Sequence, residues 1–145
     1  MNTETLDVVV VGCGISGIST AYHLSRYCPK KTFVVLERRS NLGGTWDLFN
    51  YPGIRSDSDM YTFGFSWKNW TSDSIISPKE EILEYLENAV DENDLRRHIR
   101  FGTNVLTASY SSSAQRWTVI TENRTVYKCQ FLVFNTGYYS YENPH

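Results

Sequence analysis

Three glycines near the start of the chain have the spacing of a loop that binds a dinucleotide. Gly12, Gly14 and Gly17 form the pattern G-x-G-x-x-G. In such a loop Gly12 permits a tight turn, Gly14 lets the backbone approach a pyrophosphate, and Gly17 lets a helix pack closely on a strand. The phosphates are then bound by backbone N–H groups at the helix N-terminus, with help from the helix dipole.

A carboxylate follows at the distance that such a site requires, since Glu37 lies 20 residues after Gly17. There it can accept hydrogen bonds from both ribose hydroxyls of an adenosine, and it would repel a 2′-phosphate. The alternative is that the glycines serve only a turn and that Glu37 is a solvated loop acid. The spacing and the acid together favour a dinucleotide site, without distinguishing NAD from FAD.

The segments around these residues predict the elements that the loop needs. Residues 6–11 form an apolar, β-branched run that only Asp7 interrupts, which is typical of a strand buried on both faces of a parallel sheet. A segment with helical spacing follows and ends before Pro29. Residues 32–36 form a second buried-type run, so the order is β-α-β over residues 6–36.

A long irregular stretch, residues 38–76, is rich in Gly, Asn, Ser and aromatic residues. Loops of this length are either functional or disordered. Disordered segments are poor in aromatic residues, so this stretch is expected to pack against the protein, with most of its rings in the core. The aromatic residues between positions 46 and 70 are Trp46, Phe49, Tyr51, Tyr61, Phe63, Phe65, Trp67 and Trp70.

The second half of the chain predicts a helix and then several strands. Ser77 as N-cap, Pro78 at the first helical position and Glu80 as the partner in a capping box predict the start of the helix. The middle runs of the following segment alternate and predict an antiparallel meander, whereas the last run is continuous, apolar and expected to rejoin the main sheet. The strand-like runs are 99–101, 105–110, 116–121, 125–128 and 131–134.

Composition excludes several classes of protein. The 145 residues carry 14 basic and 16 acidic side chains with no like-charged block, which argues against a protein that binds nucleic acid or a membrane surface. No apolar stretch near the start is long enough to span a membrane or flanked like a signal peptide, so a cytoplasmic location is expected. The cysteines Cys13, Cys28 and Cys129 are widely spread, which argues against a disulfide framework and a structural zinc site.

A second glycine pair follows Glu37. Gly43 and Gly44 permit another close backbone approach to the same ligand, and Thr45 can donate to a phosphate or a hydroxyl. A surface turn is the alternative. Nicotinamide dehydrogenases have no need of this pair, so after the first motif it favours FAD. Disulfide reductases of the same broad fold carry a redox cysteine after Gly-Gly-Thr, and here that position is Trp46.

Together these motifs resemble the N-terminal part of the class B flavoprotein monooxygenases. Within that group the chain is most similar to the Baeyer–Villiger monooxygenases, particularly the branch that activates the prodrug ethionamide. The resemblance covers essentially the whole chain, and residues 46–61 are its most specific part. It rests on residues 12–17, Glu37, residues 43–46, residues 51–57 and residues 135–138.

The resemblance implies a Rossmann-like FAD-binding domain of the α/β class, with a central parallel sheet, helices and an antiparallel β-meander. It implies FAD and NADPH as cofactors, O₂ as co-substrate, and a ketone or a thio-compound as substrate. Oxygen would be inserted into the ketone to give an ester, or added to sulfur. The cofactor-binding residues that it implies are Gly12, Gly14, Ser16, Gly17, Glu37, Gly44, Thr45, Trp46, Asp47, Leu48, Arg55, Ser56, Asp57, Val105, Thr136 and Gly137.

Asp57 is the catalytic residue that the resemblance implies. A carboxylate beside a flavin is costly to desolvate unless a cation pairs with it, and the family supplies that arginine later in the chain. The alternative is that Asp57 caps a turn within residues 56–59. Arg55, Ser56 and Asp57 would lie where the nicotinamide meets the flavin, and Trp46 is the best candidate among the aromatic residues to touch the flavin.

Family members are longer than this sequence. Residues 1–145 are therefore expected to form the first segment of the FAD-binding domain and to be inactive alone, with most of the NADPH site and the returning FAD segment outside. Two alternatives stay open. One is a non-catalytic module for FAD or adenosine, or a truncated gene product; the other is an NAD-binding Rossmann oxidoreductase.

Overall fold

The computed structural model describes residues 2–139. These residues form an α/β structure whose elements begin with the predicted β-α-β unit. In chain order the elements are β1 (Thr3–Val11), α1 (Ile15–Tyr27), β2 (Phe33–Leu36), α2 (Thr45–Leu48), α3 (Lys79–Glu92), a 3₁₀ turn (Arg96–His98), β3 (Ile99–Arg100), β4 (Val105–Ser111), β5 (Arg116–Thr121) and β6 (Val126–Phe134).

All six of these strands belong to one mixed sheet with the order β3-β2-β1-β6-β5-β4. The pairs β3–β2, β2–β1 and β1–β6 are parallel, whereas β4–β5 and β5–β6 are antiparallel. This is the Rossmann-like arrangement with an antiparallel meander that the sequence predicts. The meander is continuous with the parallel sheet because β6 belongs to both.

Strand β6 corrects one expectation. The runs 125–128 and 131–134 were expected as separate strands, but they form one strand that pairs with β1 from Thr3 opposite Val126 to Val11 opposite Phe134. Only the first half of β6 also pairs with β5. Both halves therefore share β1 as a neighbour, and only the first half also has β5 beside it.

The two faces of the parallel sheet are covered by different layers. On one face α1 and α3 bury Ile18, Ala21, Ile82, Leu86 and Val90 against the strands. On the other face a second cluster joins the ends of β1 and β2 to the meander, through Val9, Val11, Val34, Leu36, Val119, Tyr127 and Cys129. Strands buried on both faces need apolar residues at every position, which accounts for the unbroken runs in β1 and β2.

The aromatic stretch packs on α1 and α3, as expected. Its anchor is Tyr85 of α3, whose hydroxyl accepts the N–H of Phe65 at 2.8 Å and donates to the carbonyl of Lys68 at 2.5 Å. Phe65 stacks on Trp67, and Trp67 stacks on Tyr22 of α1 with ring centroids 3.8 Å apart. Most rings of the stretch lie in or against this core, whereas the rings exposed to solvent are Tyr51 and Tyr61.

The start of α3 differs from the expected capping box. The helix begins at Lys79 with Pro78 as its N-cap, and no side chain caps it. Ser77 is instead buried and bonded to Ser56: its carbonyl accepts the N–H of Ser56 at 2.9 Å, and its own N–H donates to Ser56 Oγ at 3.2 Å. The backbone pairing with residues 54–56 therefore decides where the helix begins.

Three further features concern the classes excluded from composition. No helix within residues 2–139 is long and apolar enough to cross a membrane. The three cysteines are free thiols, and Cys13 and Cys129 are buried. Among the described residues, no three His, Cys, Asp or Glu side chains converge as metal ligands.

Asp7 fastens the start of β2 to β1. Its carboxylate accepts the N–H of Thr32 at 2.8 Å, the hydroxyl of Thr32 at 2.9 Å and the ammonium of Lys31 at 3.0 Å. The backbone hydrogen bond from Thr32, followed by the bond from Lys31, lowers the pKa of Asp7 from 3.8 to about 2.

The replacement Tyr85→Phe tests the anchor of the aromatic stretch. It leaves the buried N–H of Phe65 without its acceptor, so we expect the free energy of unfolding to fall by about 1–3 kcal/mol in urea titrations. Tyr110→Phe is the matched control because Tyr110 is exposed, and it should change this free energy by less than about 0.5 kcal/mol. Equal effects of the two substitutions would contradict the anchoring role.

The replacement Asp7→Asn tests the link between β1 and β2 through its pH dependence. Because the pKa of Asp7 is lowered in the folded state, its contribution to stability is present above 3.8 and is lost as the pH falls through about 2. Wild-type stability should therefore decline more steeply than that of Asp7→Asn over this window, measured by urea unfolding at a series of pH values. The exposed loop variant Asp73→Asn should follow the wild type, and parallel curves for wild type and Asp7→Asn would refute the interpretation.

Candidate functional site

The predicted residues of the first glycine motif, Glu37 and residues 136–137 lie at the carboxyl ends of β1, β2 and β6. Strand β1 is flanked by β2 on one side and by β6 on the other, so this edge is a point where the strand order reverses. Ligands of open α/β sheets bind at such points. Backbone hydrogen bonds join the three strands at this edge. The N–H of Gly12 donates to the carbonyl of Leu36, and the N–H of Asn135 donates to the carbonyl of Val11, each at 2.8 Å.

Two glycines of the first motif are required by close packing. Gly12 has φ +102°, and a Cβ there would lie 2.4 Å from the carbonyl oxygen of Asn135. A Cβ on Gly17 would lie 2.0 Å from the carbonyl oxygen of Gly12. These contacts confirm the tight turn and the close approach of α1 that the spacing predicts.

The middle glycine of the motif lies against the second glycine pair. A Cβ on Gly44, whose φ is +56°, would lie 2.9 Å from the Cα of Gly14. Next to this contact the N–H of Gly43 donates to the carbonyl of Cys13 at 2.9 Å. The two loops therefore form one continuous backbone surface, which the separate motifs in the sequence do not reveal.

Glu37 is not a solvated loop acid. Its side chain is buried, with 6% of the residue exposed, at the end of β2. The N–H of Cys13 donates to Oε2 at 2.8 Å, and the N–H of Arg39 donates to Oε1 at 3.0 Å. A carboxylate has about four lone-pair positions, so each oxygen retains acceptor capacity for a ligand hydroxyl.

Cys13, inside the first motif, is not a nucleophile. Burial raises the pKa of its thiol to about 12, and the negative charge of Glu37 acts in the same direction. The thiol is therefore neutral at physiological pH and fills space next to the loop. The functional groups at this site are backbone N–H groups, which can donate hydrogen bonds to a ligand, and a carboxylate, which can accept them.

The second glycine pair leads directly into α2, the four residues Thr45, Trp46, Asp47 and Leu48. The aspartate of this helix is already paired, since it forms an ion pair with Arg39 and accepts Nδ2 of Asn41 at 3.3 Å. Arg39 also donates from Nη1 to the carbonyl of Gly44 at 3.2 Å. Arg39 was missed in the sequence, where its only signal is a position two residues after Glu37.

Trp46 lies between this site and the aromatic core. Its ring packs against the helix-side core and meets Phe63 edge-on, with centroids 6.3 Å apart. The residue retains partial exposure, as do the other three residues of α2. Trp46 therefore packs against the core and still has surface accessible to solvent.

Residues 51–57 divide into exposed and buried positions. Arg55 and Asp57 are exposed, whereas Ser56 is buried against Ser77. The turn-capping role considered for Asp57 belongs to Asp59, whose Oδ1 accepts the N–H of Thr62 at 3.0 Å. An open groove of about 540 Å³ lies beside this segment, and no glycine-motif residue lines it; its walls include Tyr51, Arg55, Ile76 and Glu80.

Val105 and residues 136–137 approach the site from different elements. The chain just before β4 touches Glu37, whose carbonyl accepts the N–H of Thr103 at 2.8 Å, and Val105 then packs in the cluster that contains Val11 and Leu36. Thr136 and Gly137 follow β6 and are exposed. The fold thus brings the distant positions 105 and 136 to the edge where β1 and β2 end.

The replacement Gly44→Ala tests the contact between the two loops. Its Cβ would press on the Cα of Gly14, whereas a Cβ on Gly53, also at positive φ, would meet nothing within 4 Å. We expect Gly44→Ala to lower the free energy of unfolding by about 1–3 kcal/mol more than Gly53→Ala, measured in urea. Indistinguishable losses would show that only backbone strain, and not the contact, matters at Gly44.

Comparisons with known proteins agree with this geometry. Residues 10–73 match the family profile described as NAD(P)-binding Rossmann-like domain. The chain is 52% identical over 143 residues to FAD-containing monooxygenase EthA of Mycolicibacterium smegmatis, covering 97% of this chain and 29% of that protein. It is 48% identical to probable FAD-binding monooxygenase AlmA of an Acinetobacter species, with 96% and 29% covered.

A solved structure shows the same relationship. The chain is 37% identical to the NADP⁺-bound cyclohexanone monooxygenase from Rhodococcus sp. Phi1 and superposes with a TM-score of 0.86, covering 99% of this chain and 28% of that one. The chain thus spans less than a third of the length of these relatives. Along nearly its whole length it is a homologue of the N-terminal, Rossmann-like part of FAD-containing monooxygenases.

Proposed function

We propose that this chain binds FAD and forms the FAD-binding part of an FAD- and NADPH-dependent monooxygenase. The observation that carries the proposal is the contact between Gly14 and Gly44 beside the buried carboxylate of Glu37. A loop for one dinucleotide phosphate needs only the first glycine motif. A second glycine loop joined to it extends the backbone surface toward a longer ligand, and the homologous proteins are named as FAD-containing.

The residues present fit such a cofactor. Gly14 is the N-cap of α1 and provides no capping side chain. The first helical bond of α1 goes from the N–H of Ile18 to the carbonyl of Gly14. The N–H groups of Ile15, Ser16 and Gly17 therefore precede the helical ladder and are free to bind a pyrophosphate. Glu37 would accept the ribose hydroxyls, because its oxygens keep acceptor capacity beside their two backbone donors.

The remaining positions would hold the rest of the cofactor. The flavin side would be met by α2, that is by Thr45, Trp46, Asp47 and Leu48. The backbone of Val105 would contact the adenine. Thr136 and Gly137 would contact the cofactor close to Gly12. When bound, FAD supplies the two-electron chemistry that couples NADPH oxidation to oxygenation by O₂. The part of this chain is to bind and orient the cofactor, with backbone donors for its phosphates and a buried acid for its ribose.

Asp57 is proposed as the catalytic carboxylate, with Arg55 and Ser56 next to it at the nicotinamide side of the flavin. The exposure of Arg55 and Asp57 supports this role, since both are accessible to a ligand. Ser56 is buried and pairs with Ser77, so it holds the segment in place. A residue on a segment fixed by backbone bonds is better oriented for chemistry than one on a free loop.

The reaction type that we propose is Baeyer–Villiger oxygenation, in which a ketone becomes an ester, with sulfur oxygenation of a thio-compound as a second activity. Residues 51–57 support the first, and structures of cyclohexanone monooxygenase among the relatives agree with it. We also propose a cytoplasmic location, which the three free cysteines support because such thiols are typical of a reducing compartment.

A nicotinamide dinucleotide at the first glycine motif is the second candidate. The family profile over residues 10–73 favours it, because it describes an NAD(P)-binding domain. Glu37 opposes NADP at this loop, since a buried carboxylate repels a 2′-phosphate. The discriminating feature is α2 and its glycine pair, which an NAD site does not require.

A titration of the purified chain with FAD and with NAD tests the proposal. We expect FAD uptake with quenched flavin fluorescence and a visible circular dichroism signal, and at least tenfold tighter binding of FAD than of NAD. Glu37→Gln should weaken FAD binding by about tenfold, because a charged acceptor for the ribose is lost. Glu84→Gln, on the exposed face of α3, is the control and should bind as the wild type. Preference for NAD, or no uptake of FAD, would overturn the proposal.

A further inference from the structure

Lys79, the first residue of α3, is a buried lysine that takes no part in the motifs described so far. Only 9% of the residue is exposed. Its ammonium donates to the carbonyl of Phe49 at 2.6 Å and reaches that of Asp47 at 3.4 Å. The ion pairs formed within residues 2–139 do not include it.

These two carbonyls lie at the C-terminal end of α2. The last carbonyls of a helix have no partner inside the helix and carry the negative end of its dipole, so they suit a cation. A buried ammonium without a carboxylate depends on such acceptors, because removing the charge from water is costly. The hydrogen bonds of the Lys79 ammonium therefore depend on where the C-terminal end of α2 lies.

A helix of four residues does not hold its own shape, because helix formation has a costly nucleus. Groups outside α2 must fix it. At its N-terminal end the carbonyl of Gly44 accepts Nη1 of Arg39, and the N–H of Gly43 donates to Cys13. At its C-terminal end the ammonium of Lys79 fixes the helix by donating to the carbonyl of Phe49.

Lys79 also fixes the segment that leads to Asp57. Its backbone N–H donates to the carbonyl of Ile54 at 3.2 Å, next to the bridge between Arg55 and Pro78. One residue thus connects three parts of the molecule: α2 through its side chain, residues 54–57 through its backbone, and α3 of which it is the first residue.

We propose that Lys79 is a positioning residue for flavin binding, which holds α2 at the right place on the glycine loops. This inference rests on the proposed function, since α2 is the segment assigned to the flavin. The Lys79 ammonium meets α2 at its C-terminal end, and its effect on the cofactor passes through the backbone of residues 47–49.

The test compares Lys79→Met, Lys79→Arg and Lys68→Met with the wild-type chain. Methionine keeps the length of the side chain and removes the ammonium, whereas arginine restores donors for the two carbonyls. Lys68→Met is the control, because it removes a lysine whose partner is Glu92 on α3, at 2.6 Å. Each protein is titrated with FAD, and amide hydrogen exchange of Trp46, Leu48 and Phe49 is measured without FAD.

We expect Lys79→Met to weaken FAD binding by about tenfold to a hundredfold and to speed exchange of these three amides at least tenfold. The visible circular dichroism of bound flavin should change, Lys79→Arg should recover most of the affinity, and Lys68→Met should behave as the wild type. Urea unfolding shows whether each variant is folded during the titration.

The outcomes separate the two proposals. If the wild type binds FAD and Lys79→Met binds it equally well with unchanged exchange, the role of Lys79 is refuted and the proposed function stands. If Lys79→Met and Lys68→Met weaken binding equally, or arginine restores nothing, the effect is general loss of stability and the positioning role is refuted. If the wild type does not bind FAD, the proposed function fails and the cofactor-directed role of Lys79 fails with it.

Discussion

The close approach of three backbone segments at the end of β1 is the constraint on which the rest of the structure depends. Gly17 brings α1 onto the carbonyl of Gly12, Gly12 lies against Asn135 after β6, and Gly14 lies against Gly44. At Gly12, Gly17 and Gly44 these distances leave no room for a side chain larger than hydrogen, whereas a Cβ on Gly14 would make an ordinary contact at 3.5 Å. The glycines therefore decide where α1, α2 and β6 stand relative to one another, and any ligand at this edge meets backbone.

Charged side chains around this edge, two of them buried, form hydrogen bonds with backbone groups. Glu37 accepts two N–H groups, Arg39 donates to the carbonyl of Gly44, and Lys79 donates to the carbonyl of Phe49. A buried charge without such partners would be strongly unfavourable. Each charged residue thus fixes a loop, and the irregular stretch that contains α2 acquires a defined position without a long element of its own.

Much of the fold follows from local patterns in the sequence. The β-α-β unit, the antiparallel meander, the packing of the aromatic stretch and the turn at Gly12 were all predicted, because apolar periodicity and glycine spacing report directly on burial and backbone freedom. The start of α3 was predicted incorrectly: Ser77 has the residue type of an N-cap, but its backbone bonds to Ser56, and a local signal contains no information about a hydrogen-bond partner 21 residues away.

The sequence by itself determined which residues have the chemistry to bind a dinucleotide: glycines at the right spacing, the acid at position 37 and the second glycine pair. Only the tertiary structure decided that Gly14 touches Gly44, that Glu37 is buried between two backbone donors, and that Arg39 and Lys79 hold the two ends of α2. Residue types and short spacings are properties of a local segment. Contacts between positions 14 and 44, or 49 and 79, arise only when strands and helices pack, because burial of their apolar faces determines which distant loops meet.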